Sequence, residues 1–204
     1  MKSFIAVFLG ILLSVIGILG CITTNSVSVL QRADNLSSTP EWASITTSVK
    51  SEGDRTFFLG YVELPVDASK SGALNMADQK AYASPMESMV DLYFQQNEVA
   101  EDIRADSAIS QLVLSAARSS RPPMPGLRVI KRYWEVIEVR SSLGITQQLH
   151  VFSLAEIPTG EYEKAKRTIL ARLNGNPELK RVLKEVSQKQ RDQIFNPPPK
   201  VEQE

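Results

Sequence analysis

One cysteine in 204 residues, Cys21, follows directly on an uncharged stretch running from Phe4 to Gly20, and this junction constrains the rest of the chain. With a single cysteine there is no internal disulfide, so the folded part must be held by an ordinary hydrophobic core. Removing the first 20 residues leaves 184, enough for one domain with a sizeable core plus extra segments. Part of the 43% hydrophobic content belongs to that removed stretch. Its only charge is Lys2, so the remainder carries 22 basic and 23 acidic side chains. A balance this close to neutral gives no bulk attraction to nucleic acid or to an anionic surface. One Cys and one His argue against a metal site of the usual kind, and no cofactor or small-molecule substrate is implied.

The N-terminus has the layout of an export signal: Lys2 as a positive start, an apolar run from Ile5 to Leu19, then small residues. Ile18-Leu19-Gly20-Cys21 resembles the bacterial lipobox, an aliphatic residue, a tolerant position, a small residue and then Cys. The resemblance implies cleavage between Gly20 and Cys21 and acylation of Cys21. Residues 4 to 20 are at the short end of what spans a bilayer, so a retained transmembrane helix is the competing reading. Lipidation is preferred because the one Cys stands where lipidation requires it, and two or more acyl chains hold a protein on a membrane. Ile22 follows, where Asp is a familiar inner-membrane retention signal, and this leans the expectation towards the outer membrane.

Residues 21–39, rich in Ser, Thr and Asn, are expected to be a flexible tether, with a docked arm as the alternative. Asn196-Pro197-Pro198-Pro199 stops helix, and 196–204 reads as a disordered tail. Arg55 to Leu64 reads as a strand, with Gly60 marking a bulge or the close approach of a helix. Ala73, Ala77 and Ala81 recur at i+4 and predict a flat helix face over Asn75 to Phe94, with a kink or a break near Pro85. A second helix is expected over Asp106 to Arg118, presenting Ile109, Leu112, Val113 and Ala116 on one side. Strands at Leu127 to Arg140 and Ile145 to Ile157 form a hairpin around Ser141-Ser142-Leu143-Gly144. Thr159 is a candidate N-cap for a helix to Leu173, and Asn176-Pro177 restarts a second one. The order predicts an α+β two-layer sandwich, with an antiparallel sheet of about three strands backed by helices. The expected domain covers 40–174, with 175–195 as a C-terminal amphipathic helical extension.

Pro40-Glu41-Trp42, the strand Phe57-Phe58-Leu59-Gly60, Ala77-x-x-x-Ala81 on a helix, Tyr133-Trp134 opening a hairpin and Leu149 to Ala155 as last strand resemble one family. It is the LPP-twenty-type lipoprotein family, which includes flagellar outer-membrane accessory proteins. The resemblance covers residues 40 to 157 at most, and Pro85 departs from the family's long alanine-rich helix. It implies a small sheet backed by helices and no catalytic centre to carry over.

Among residues that could carry chemistry, His150 is the one imidazole, placed in a strand and read as a structural residue. Glu135 and Glu138 are three apart on one strand, which puts them on opposite faces. No phosphate-binding glycine motif occurs. Phe57, Phe58, Tyr61, Tyr133 and Trp134 are read as core, with Phe57 and Phe58 pointing oppositely. The stripe Leu179, Val182, Leu183 and Val186 either closes the domain's own core or docks on a partner in groove mode. The functional expectation is a non-catalytic structural or interaction component of the cell envelope, held by a lipid at Cys21 and bound to envelope proteins or to itself. The alternative is a periplasmic binding module that regulates a cell-wall enzyme.

Overall fold

The computed structural model describes residues 26–44, 49–119 and 123–195. The expected signal segment, with Gly20 and Cys21, and the expected tail lie outside these residues. In chain order the elements are β1 (Ser26–Arg32), β2 (Val49–Glu52), β3 (Arg55–Pro65), α1 (Lys70–Gln96), α2 (Glu101–Ala105), α3 (Ser107–Ser119), β4 (Arg128–Ser141), β5 (Gly144–Pro158), α4 (Thr159–Gly175) and α5 (Pro177–Phe195). Two short 3-10 turns, Ala33–Asn35 and Glu41–Ser44, lie between β1 and β2. The sheet is antiparallel throughout, in the order β1-β4-β5-β3-β2.

The α+β class holds, with helices backing one face, but the sheet has five strands and not about three. The two extra strands are both edges. β2 is short and polar, and it joins β3 through a turn at Gly53, whose φ of 59° suits glycine. From Ser26 on, β1 corrects the tether reading in favour of the docked arm: Ser26 to Arg32 pairs along β4 from Arg140 to Glu135. A serine-rich segment can do this because an edge strand needs only one partner and little burial.

α1 is a single helix of 27 residues with Pro85 inside it, which removes the break from the two expectations of a kink or a break. Pro85 is buried, and its row is continuous with Ala77, Ala81, Met89 and Tyr93. Packing along this row offsets the backbone bond that proline forfeits. The alanine half lies over the sheet and Gly60 is what admits it. A Cβ there would fall inside the contact radius of the Ala77 carbonyl and the Ala81 backbone nitrogen, and 2.9 Å from Ala81 Cβ. The larger half packs on α3, α4 and α5 in the main core with Phe58, Val113, Ile157, Ile169 and Leu173.

Several local expectations shift. Leu112 is exposed, and Ala117 takes the buried place beside Ile109 and Val113. Asp106 caps α3 through the Ala108 amide at 2.8 Å. Thr159 is not the cap of α4, whose cap position is Pro158. The Thr159 amide instead donates to the Asp54 carbonyl at 2.8 Å, tying the helix start to the β2–β3 turn. Asn176 does cap α5, accepting from the Glu178 and Leu179 amides at 3.0 and 3.2 Å.

The C-terminal extension is part of the fold. Leu179 and Leu183 are buried in the main core, and Val186 packs against it half-buried. Val182 is half-buried. The stripe closes the domain's own core, which corrects both its partner-binding reading and the boundary at 174.

Candidate interaction surface

Strands alternate, so the five strands present two faces. Phe58 lies on the helix-covered face and is fully buried, whereas Phe57 lies on the opposite face and is half-buried. That opposite face carries the side chains that could meet another molecule.

It is organised in rungs running across the sheet. Tyr133, Phe152 and Tyr61 align across β4, β5 and β3, with ring centroids 5.9 and 5.0 Å apart. The Glu41–Ser44 turn covers one end of this rung, with Trp42 meeting Tyr133 edge-on at 6.4 Å. Ala33 and Ala43 are buried against the same rings.

The next rung is polar: Arg32, Glu135, His150 and Glu63 across β1, β4, β5 and β3. Glu135 is almost buried and accepts from Thr39 Oγ1 and from Tyr133 Oη, both at 2.8 Å. Arg32 Nε stands 3.8 Å from the same carboxylate. The segment expected to be a tether is thus pinned by a buried carboxylate. Burial, together with the bond to Glu135, pushes the Tyr133 phenol above its ordinary value. Glu138 lies on the other face, bonded to Arg140 at 2.7 Å, which bears out the separation expected of the two carboxylates.

His150 Nδ1 lies 3.1 Å from Tyr61 Oη, and Tyr61 Oη is 3.2 Å from Glu63 Oε2. Gln148 Nε2 donates to Glu63 Oε1 at 2.6 Å, and Gln148 Oε1 lies 3.5 Å from His150 Nε2. These four side chains form a closed polar ring. Burial first, then the Glu63 charge and hydrogen bond, push the Tyr61 phenol up to about 12. A phenol held that high keeps its proton at neutral pH and is a poor nucleophile or base. The arrangement presents hydrogen-bonding groups and leaves the Tyr61 phenol protonated. Sequence reasoning placed His150 on a strand but could not find Tyr61, 89 positions away, because pairing across β3 and β5 is a tertiary fact.

At the far end of this face a cleft of about 430 Å³ is lined by Glu41, Trp42, Lys50, Phe57, Lys131 and Leu154, among others. A register shift in β4 between Val129 and Lys131 brings the successive residues Ile130 and Lys131 into its wall. Its lining combines apolar side chains with both signs of charge.

On the helix-covered face, Trp134 stacks under the Lys70 ammonium, 3.5 Å from the ring centroid. Asp78 of α1 takes Arg132 in a two-pronged bond, with distances of 2.7 to 3.0 Å, and Ser153 Oγ at 2.6 Å. Burial alone would raise the Asp78 carboxyl, but the bonds from Arg132 and Ser153 and the Arg132 charge outweigh it and hold the pKa below the ordinary value. Among the described residues no helix is long and apolar enough to cross a membrane, and no cluster of His, Cys, Asp and Glu could hold a metal ion. No family model, curated protein or solved structure matches the chain.

Proposed function

We propose that this chain is a bacterial lipoprotein of the LPP-twenty type, acting as a non-catalytic structural or interaction component of the cell envelope. In this reading the signal peptide is removed after Gly20 and Cys21 carries the lipid. The domain then sits on the outer membrane, where it binds envelope proteins or copies of itself, in one version as part of a flagellar outer-membrane assembly. The observation that carries the reading is the placement of the one cysteine at the end of a lipobox-like tetrad, behind a charged start and an apolar run. The non-catalytic role is supported by the helix-free face, where Tyr61, His150, Gln148 and Glu63 satisfy one another and the Tyr61 phenol is held high. The test is metabolic labelling with radioactive palmitate. The wild type takes up label and has the mass of a chain beginning at Cys21, while Cys21→Ser takes up none and stays unprocessed. An unlabelled wild type, or one that keeps residues 1–20, sinks the reading.

The cleft beside Trp42 and Phe57 favours a second reading, a periplasmic binding module that regulates a cell-wall enzyme. Light scattering on residues 22–204 separates the two. A ring-sized oligomer supports the assembly component, and a clean monomer supports the binding module.

A further inference from the structure

The β4–β5 hairpin ends in a turn at Ser142 and Leu143, and its apolar side chains face water. Leu143 is 98% exposed and Ile145 is 61% exposed. Val27, on the neighbouring edge strand, is 63% exposed. All three lie beyond Val136 and Leu149, a cross-strand pair that is still buried. From Ser141 to Leu149 there is no charged residue. Arg140, at the base of the tip, is bonded to Glu138.

β1 begins at this same end, because Ser26 pairs with Arg140. Cys21 stands five residues before Ser26. Even fully extended, that length reaches at most about 18 Å. The apex at Leu143 is three residues past Arg140, roughly 10 Å further along the strand direction. An acyl anchor on Cys21 would therefore hold this end of the sheet, with the hairpin tip at its extremity, near the bilayer, and keep the Asp54 end roughly 40 Å away along β5.

We propose that the β4–β5 hairpin tip is a lipid-contacting element, with Leu143, Ile145 and Val27 entering the headgroup–acyl boundary of the leaflet that holds Cys21. This rests on the lipid-anchor reading. Three apolar side chains would bind a membrane poorly alone, but the anchor keeps them at high local concentration beside it. Contact at the tip stands the strands up from the surface. The cleft around Phe57 and Leu154 then lies about 33 Å up β5, turned away from the lipid towards a partner.

The test uses the full-length protein, purified from bacterial membranes and returned to phosphatidylethanolamine–phosphatidylglycerol vesicles. Once Cys21 is a thioether, Leu143→Cys supplies the one free thiol for an environment-sensitive fluorophore. Asp54→Cys, at the opposite end of the sheet and exposed, is the control. The label at 143 is expected to show roughly threefold less quenching by aqueous iodide than the label at 54, since the headgroup boundary excludes the ion. It is also expected to be quenched by doxyl-labelled lipid, which leaves the label at 54 untouched. Equal iodide quenching at both positions in acylated protein overturns the lipid contact and leaves the anchor standing. Shielding at 143 without doxyl-lipid quenching also overturns it, because a protein and not lipid then covers the tip. A free Cys21 thiol in the wild type, or a mass that retains residues 1–20, overturns the anchor reading and this proposal with it.

Discussion

The two faces of the sheet are built from the same strands, yet they are held by different means. Along β3 burial alternates strictly from Arg55 to Val62. The covered side reads Thr56, Phe58, Gly60 and Val62, and the open side reads Arg55, Phe57, Leu59 and Tyr61. The open side is no less apolar. Leu59 lies on it, whereas glycine lies on the covered side. Hydrophobicity of the strand therefore does not select the face that α1 covers. Shape does, because the alanine row of α1 can approach only where Gly60 leaves room. The open face is held instead by rungs of aromatic rings and a pinned carboxylate, with the N-terminal segment as partial cover. One face is spent on close packing. The other retains polar groups and a cleft for contact with something else.

The sharpest way to break this comparison is Gly60→Val. A branched side chain must displace the α1 backbone, and the loss is expected to be about 3 kcal/mol or more in urea unfolding. An unchanged midpoint would falsify the close-approach account. Next comes Leu183→Ala, which opens a cavity in the main core and is expected to cost about 2–3 kcal/mol, at the lower end because the helix is terminal. If the domain barely notices the change, α5 is a docking element after all.

On the open face, Glu135→Ala leaves the Thr39 and buried Tyr133 hydroxyls without their acceptor and Arg32 without its opposing charge. It should cost about 1–3 kcal/mol, concentrated in faster amide hydrogen exchange along β1. Exchange that rises equally everywhere would mean that Glu135 does not pin the N-terminal segment in particular. Asp78 offers a smaller effect that depends on pH. Its folded pKa lies below the ordinary 3.8, so the carboxylate contributes stability above that value and loses it as pH falls through the folded one. Asp78→Asn should flatten the acid limb of the stability curve below about pH 4 and leave its shape near neutrality unchanged. A wild-type-shaped acid limb in that variant removes Asp78 from the acid response. The smallest effect is expected from Phe57→Ser, within about 1 kcal/mol, because the ring is half-buried at a cleft and does not fill a core. A larger loss would mean that the open face also stabilises the domain by packing.

Much of the fold was legible from local pattern. Period-two alternation separated Phe57 from Phe58 and Glu135 from Glu138, because successive strand residues must point oppositely. The hairpin around Ser142 and Leu143, the Asn176-Pro177 start of α5 and the glycine beneath an alanine row were readable because each signal sits within a few residues of its effect. The edge strands β1 and β2 were not. Their sequences are polar and short, and what makes them strands is a partner over 100 residues away in one case and a weakly marked turn in the other. Pro85 reads as a kink or a break on backbone grounds alone, and only packing along its buried row keeps the helix continuous. The Tyr61–His150 contact and the burial of Glu135 belong to the same class, since cross-strand neighbours are set by register and not by sequence distance. Local chemistry determined the central strands and the helices, and which way their side chains face. Long-range pairing and packing decided which of those side chains meet, because each such contact must outweigh the entropy of closing the chain between its partners.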